Sequence, residues 1–205
     1  MEIFCGESPV GEAGGRIESG TFVESQERRE QIDWRYGHCS LNADPSDFGP
    51  FEGLVSLWQS KRNGRLFPAR ADFGVAEFKP WLGRIAIVNL ETDPFNVRFV
   101  LWGTQLAEWW GADYTNKSLG DLAAQPELFK EVEGQYFLEM KSGPFIGLIE
   151  GKLEQHYHRY RKLMGVDLPL GSDGTVEQVL LVHEEIAPDA SLEELLPDSP
   201  AQYFY

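Results

Sequence analysis

From Gly49 to Asn63 the apolar residues Phe51, Leu54, Leu57 and Trp58 recur every three or four positions, and Gly64 follows. That period predicts one amphipathic helix stopped by the glycine. A second helical turn is expected over Val75–Trp81, with Pro80 and Gly83 as its stop. The period then changes to that of strands. Arg84–Glu91 and Asn96–Trp102 are rich in branched and aromatic residues and flank Thr92-Asp93-Pro94, so they predict a hairpin. Gly103 ends it, and Thr104 caps a short helix closed by Gly111. Pro126 opens the longest helix, whose stripe is Leu128, Phe129, Val132, Tyr136, Phe137 and Met140, and Gly143 ends it. Three strands follow at Phe145–Lys152, Gln155–Leu168 and Thr175–Ile186, the last two joined through the turn signal Asp173-Gly174. Upstream, Ile32, Trp34 and Tyr36 alternate with polar residues, as in a short strand or an extended docking arm.

Two strands, several helices and three strands make an α+β plan, with helices gathered on one face of an antiparallel sheet. Val179–Val182 is apolar on both parities, so the last strand should be central and covered on both sides. The helix at 49–63 is the natural cover for the second face.

Composition narrows the classes. The chain has 205 residues and no apolar run near the ~20 needed to span a bilayer. Its N-terminus does not read as a secretory signal, so we expect a cytoplasmic protein with no membrane partner. The net charge of −15 argues against nucleic acid. Residues 1–50 carry ten acidic and four basic side chains, and residues 186–205 four acidic and none basic. These acidic ends suit solubility, or a basic partner. Cys5 and Cys39 form no disulfide framework and no metal spacing.

Certain segments resemble a family. Leu57-Trp58, the run KRNGRLFPARADF over 61–73 and FKPWLGR over 78–84 are similar to the lead-in of a bacterial family of standalone PAS-domain proteins. VLWGTQLA over 100–107 and GADYTNKSL over 111–119 resemble its second strand and first helices. DLPL over 167–170, with Asp173-Gly174, resembles its last hairpin. The resemblance covers about residues 51–186. It implies a PAS-like five-stranded antiparallel sheet in the order 2-1-5-4-3, with helices on one face and the N-terminal helix on the other. The chain then divides into an acidic, partly disordered extension over 1–48, a helical cap over 49–83, a PAS core over 84–186 and an acidic tail over 187–205.

Function follows from the site rather than the fold. The resemblance implies a signalling or sensor module that binds a small ligand or a protein partner and acts in trans on a separate effector. One alternative is a pure interaction or dimerisation module, resting on the helix at 49–63 and exposed aromatic residues; separately, Gln155–Lys162 reads as an exposed edge or homodimer face. Another is a cone-shaped isomerase or dehydratase, which would need a buried Asp/His or Asp/Tyr pair. We expect no enzyme, because no phosphate loop, nucleophile elbow or His-Glu-x-x-His motif occurs. Asp113 and His183 could lie near one another, but nothing in the sequence fixes that.

Cofactor signatures are also missing. Residues 51–205 contain no Cys, against cysteinyl-flavin chemistry, and residues 104–144 contain no His, against an axial haem ligand on the long helix. His156 and His158 share a strand face but lack further ligands, so no metal is assigned. The richest cluster is aromatic: Trp102, Trp109, Trp110, Tyr114, Phe129, Tyr136 and Phe137. Trp109 and Trp110 cannot both face inward on a helix. A small apolar or aromatic ligand is expected against Phe99, Leu101, Gln105, Trp109, Tyr114, Phe129, Tyr136, Phe137, Met140, Leu148 and Tyr160, or these residues simply fill a core. Lys61, Arg62, Arg65 and Arg70 are expected to serve the helix end and local pairing rather than an acidic ligand.

Overall fold

A computed structural model describes residues 34–123, 125–153, 158–199 and 201–204. The extension before Trp34, including Cys5, lies outside them, as do His156 and the side chains of His158 and Tyr160.

The expected elements are present. Asp44 accepts from the Ser46 amide and caps a 3-10 turn over Pro45–Phe51, which runs into α1, Glu52–Lys61. The segment Val75–Arg84 winds as 3-10 helix with Pro80 inside it. The hairpin is β2, Ile85–Thr92, and β3, Phe95–Trp102. Next come α2, Thr104–Trp110, and α3, Pro126–Ser142, with Pro126 opening α3 as read. The later strands are β4, Ile146–Leu153, β5, His158–Ser172, and β6, Thr175–Ile186. Asp173 and Gly174 both take positive φ, 51° and 76°, as a tight hairpin with the right-handed twist requires.

The sheet is larger than the five strands expected. A strand β1, Trp34–Cys39, pairs antiparallel with β4, and a short β7, Gln202–Phe204, pairs with β1. The full order is β3-β2-β6-β5-β4-β1-β7, so the order 2-1-5-4-3 does not describe the whole sheet. Both additions come from the chain's flanks. The four-residue helix α4, Leu192–Leu195, lies in the segment read as an acidic tail. No helix among the described residues is long and apolar enough to cross a membrane.

Burial follows the layers. Val179, Leu180, Leu181 and Val182 are all buried, so β6 is covered on both faces. The N-terminal cap contributes Phe48, Phe51, Leu54, Val55 and Trp58, all fully buried, and the Trp58 indole donates to the Pro169 carbonyl at 2.9 Å. α3 lies over the face that carries Asp167, where the Tyr136 hydroxyl reaches it at 2.8 Å. The sheet must be bare for that approach. A Cβ at Gly147 would overlap the Tyr136 hydroxyl, and one at Gly165 would come within 2.9 Å of His183 Cδ2.

Alternation along β1 sends Arg35 to the opposite face from Trp34 and Tyr36. There it meets the buried Glu150 at 2.7 Å, and Glu193 on α4, while Lys162 approaches Glu150 at 3.1 Å. The basic group of the cap is also engaged. Lys61 pairs with Glu77 at 2.7 Å and Arg65 with Asp72 at 2.6 Å, Arg62 donates to the Leu41 carbonyl, and Arg70 donates to the Phe73 carbonyl.

Candidate functional site

Between α3 and the sheet lies a cavity of about 60 Å3, several times the roughly 15 Å3 that one water needs. α3 supplies Phe129, Glu133, Tyr136 and Phe137, spaced so that one helical face bears them all. The sheet supplies Trp34 and Tyr36 from β1, Phe99 and Trp102 from β3, Ile149, Asp167, Leu181 and His183. Trp110 ends α2, and Tyr114 and Leu119 follow it.

The aromatic rings meet mostly edge to face, the arrangement their quadrupoles favour. Trp102 meets Trp110 at 5.2 Å and 82°, and Phe99 at 5.1 Å and 88°. Trp110 meets His183 at 5.3 Å and 74°. Trp34 and Trp110 are nearly parallel, with centroids 6.4 Å apart.

Five of the expected ligand residues line this cavity: Phe99, Tyr114, Phe129, Tyr136 and Phe137. Leu101, Gln105, Trp109, Met140 and Leu148 do not, each for a local reason. Ile87 pairs with Leu101 but Val88 with Phe99, so Val100 is the extra residue of a bulge. The bulge reverses the parity of β3, and Trp102 joins Phe99 in place of Leu101. On α2 it is Trp110 that turns to the cavity, while Trp109 is buried in the core. Gln105 donates to Glu108 at 3.0 Å on the outside of α2. Met140 is fully buried but beyond the four lining residues of α3. Leu148 faces away, because its neighbours Gly147 and Ile149 take the cavity parity.

The sequence reading missed Glu133 and Asp167 and named His183 only beside Asp113. Glu133, Asp167 and His183 line the cavity, and no Lys or Arg does. Glu133 sits one turn from both Phe129 and Phe137, inside the apolar stripe, which was a legible signal. Burial pushes the Asp167 carboxyl up to about 7, opposed by the Tyr136 hydrogen bond. Burial pushes Glu133 up to about 8; the Tyr36 hydroxyl opposes this and the Asp167 charge adds to it. Burial lowers His183 to about 4, so its imidazole is neutral at pH 7. Tyr136 lies well above its usual range, through burial and then Asp167, and burial also raises Tyr114. Asp113 is exposed and accepts from the Thr115 amide at 2.8 Å, so the acid beside His183 in the cavity is Asp167.

Hydrogen-bonding capacity is left over inside. Asp167 and His183 are 1% and 3% exposed, yet Asp167 Oδ1 and His183 Nδ1 find no protein partner among the described residues. The same holds for Trp102 Nε1. A buried polar atom without a partner costs about 1–3 kcal/mol, so native proteins rarely keep three around one cavity.

An antiparallel sheet and a long helix closing over an aromatic chamber with leftover polar atoms define a small α+β module. The comparison by family agrees: residues 49–138 match the family model of the PAS domain. The chain carries a PAS domain, a signalling and sensory module, and the matched stretch runs from the start of the cap into α3. No curated protein and no solved structure matches the chain.

Proposed function

We propose that this protein is a ligand-responsive PAS module that takes a small molecule into the cavity under α3 and passes its occupancy to a partner protein. The observation that carries this is the coincidence of the cavity with Trp102 Nε1, Asp167 Oδ1 and His183 Nδ1, which hydrogen bonds from a guest would satisfy. The aromatic walls supply shape and apolar contact, and the three polar atoms fix orientation. Because α3 packs directly on the cavity and both flanking strands join the same sheet, a guest touches elements that also present surface outside. The acidic ends, with excesses of six and four negative charges, favour a basic partner surface.

The test is a thermal-shift screen of the full chain against a library of acids, bases and neutral heterocycles, with native mass spectrometry of the hits. The expectation is stabilisation by one chemical class, abolished in a cavity-filling Leu119→Phe variant. A screen in which nothing binds overturns the ligand-binding role.

One observation favours a second role, catalysis. The cone-shaped enzyme alternative needs a buried Asp/Tyr or Asp/His pair, and Tyr136–Asp167 is such a pair, with His183 lining the same cavity. A neutral carboxylic acid and a phenol side by side can hold a developing oxyanion. Hydrogen–deuterium exchange at the α-carbon of a bound carbonyl compound, followed by NMR, decides the matter. Exchange no faster than in buffer, unchanged in Asp167→Asn, disposes of it.

A further inference from the structure

Resting on the ligand-binding role above, we infer that the guest is a small protonated amine, held with its ammonium group at Asp167 and Glu133 and its hydrocarbon part against Trp102, Trp110 and Phe129.

Three features of the chamber point to a cation. The first is charge. Two carboxyls line it, no Lys or Arg does, and its one imidazole, His183, is neutral at pH 7. Isolated buried carboxylates are costly, so burial holds both carboxyls well above the usual range, Asp167 at about 7 and Glu133 at about 8. An ammonium group supplies a countercharge and lets them ionise in place. An anion would meet the opposite field once the carboxyls ionise.

The second feature is the walls. Aromatic faces carry negative charge density and attract cations, most strongly where water is excluded. Trp34, Trp102, Trp110, Tyr36, Tyr114 and Tyr136 surround the space. A neutral apolar guest would gain the same burial but none of this attraction.

The third is hydrogen-bond polarity. Asp167 Oδ1 has no protein donor, although Asp167 is 1% exposed. Its other oxygen, Oδ2, accepts from Tyr136 at 2.8 Å, which orients the carboxyl and leaves Oδ1 for a guest. An ammonium group brings several N–H donors to such acceptors.

The titratable groups around the two carboxyls are Tyr136 on α3, Tyr36 and Cys39 on β1, Tyr114 and His183. None is a cation at pH 7, His183 being neutral there. Cation binding is therefore coupled to loss of carboxyl protons, and amine affinity rises with pH across the range where Asp167 and Glu133 titrate, near 7 and 8.

Benzylamine, benzyl alcohol and benzoate share a ring and a size and differ in charge, so they test the assignment by calorimetry on the full chain. Benzylamine is expected to bind at least tenfold tighter than benzyl alcohol, with benzoate weakest. Its affinity is expected to rise at least fivefold from pH 6 to pH 8, with proton release seen as a dependence of the heat on buffer ionisation. Glu133→Gln and Asp167→Asn, both near-isosteric, should each weaken benzylamine about tenfold and leave benzyl alcohol within twofold. Equal binding of amine and alcohol, preference for benzoate, or indifference to both substitutions overturns the amine assignment while leaving a ligand-binding module. Binding of none of the three also overturns it. The ligand-binding role itself then falls only if the mixed library fails as well.

Discussion

Replacing Asp167 by Asn should change how stability depends on pH, and the size of the change follows from the cavity. In the folded protein the carboxyl stays protonated up to about pH 7, because burial penalises its charged form. In the unfolded chain it ionises near its ordinary value of 3.8. Between those values the folded state binds the extra proton, so stability falls as pH rises, by about 1.4 kcal/mol for each pH unit. From pH 5 to pH 8 the wild type should therefore lose about 2–3 kcal/mol through this one side chain. Asn has the same shape and still accepts from Tyr136, but it does not titrate. Glu133 and His183 are common to both proteins. Relief of the Asp167 charge on Glu133 acts in the same direction, favouring the variant at high pH. Urea denaturation followed by circular dichroism at pH 5 and pH 8 measures this difference. The variant should gain about 2–3 kcal/mol on the wild type between the two pH values, whatever its absolute stability. An equal gap at both would mean that Asp167 is ionised in the folded protein, and the account of a neutral chamber would be refuted.

Three other outcomes follow from the packing. Gly147→Ala places a methyl group where the Tyr136 hydroxyl lies, and should cost about 1–3 kcal/mol in thermal unfolding; an unchanged midpoint would mean that α3 stands further off the sheet. Arg35→Met leaves the buried Glu150 with Lys162 alone, and should cost about 1–3 kcal/mol in urea, with weak dependence on salt; loss of the effect in high salt would mark the pair as a surface one. With Cys5 replaced by Ser, the remaining thiol Cys39 is 2% exposed, with its pKa pushed up by burial to about 12. It should resist a thiol reagent at pH 8 until urea is added, and rapid labelling of the native protein would contradict this.

Much of the frame was legible because the elements are long and periodic. α3 announced itself by Pro126 and its stripe, and the β5–β6 hairpin by Asp173-Gly174 between branched runs. The two extra strands were harder. β7 has three residues and α4 four, too short for any period to show. β1 did alternate, but alternation alone does not distinguish an arm from a strand. Inside the cavity the misses share one cause, parity. A one-residue bulge at Val100 moved the site from Leu101 to Trp102, and one step of helix moved it from Trp109 to Trp110. Asp167 was overlooked for a different reason. It stands in an apolar strand, where a single polar residue reads as an irregularity, yet Gly147 opposite it and Gly165 two residues before it marked the close approach of large side chains.

The position of the chamber relative to the family match has a consequence for descent. Residues 49–138 carry the match, but Trp34, Tyr36, Ile149, Asp167, Leu181 and His183 all lie outside it. The chamber is therefore written across two parts of the chain: Trp102, Trp110, Phe129 and Glu133 fall inside the matched stretch, Asp167 and His183 outside it. Substitutions in β1, β5 and β6 can change Trp34, Tyr36, Asp167 and His183 in the chamber's lining while the matched stretch stays recognisable. A chain that shares the match alone need share Glu133 and the aromatic walls of β3, α2 and α3, and not Asp167 or His183.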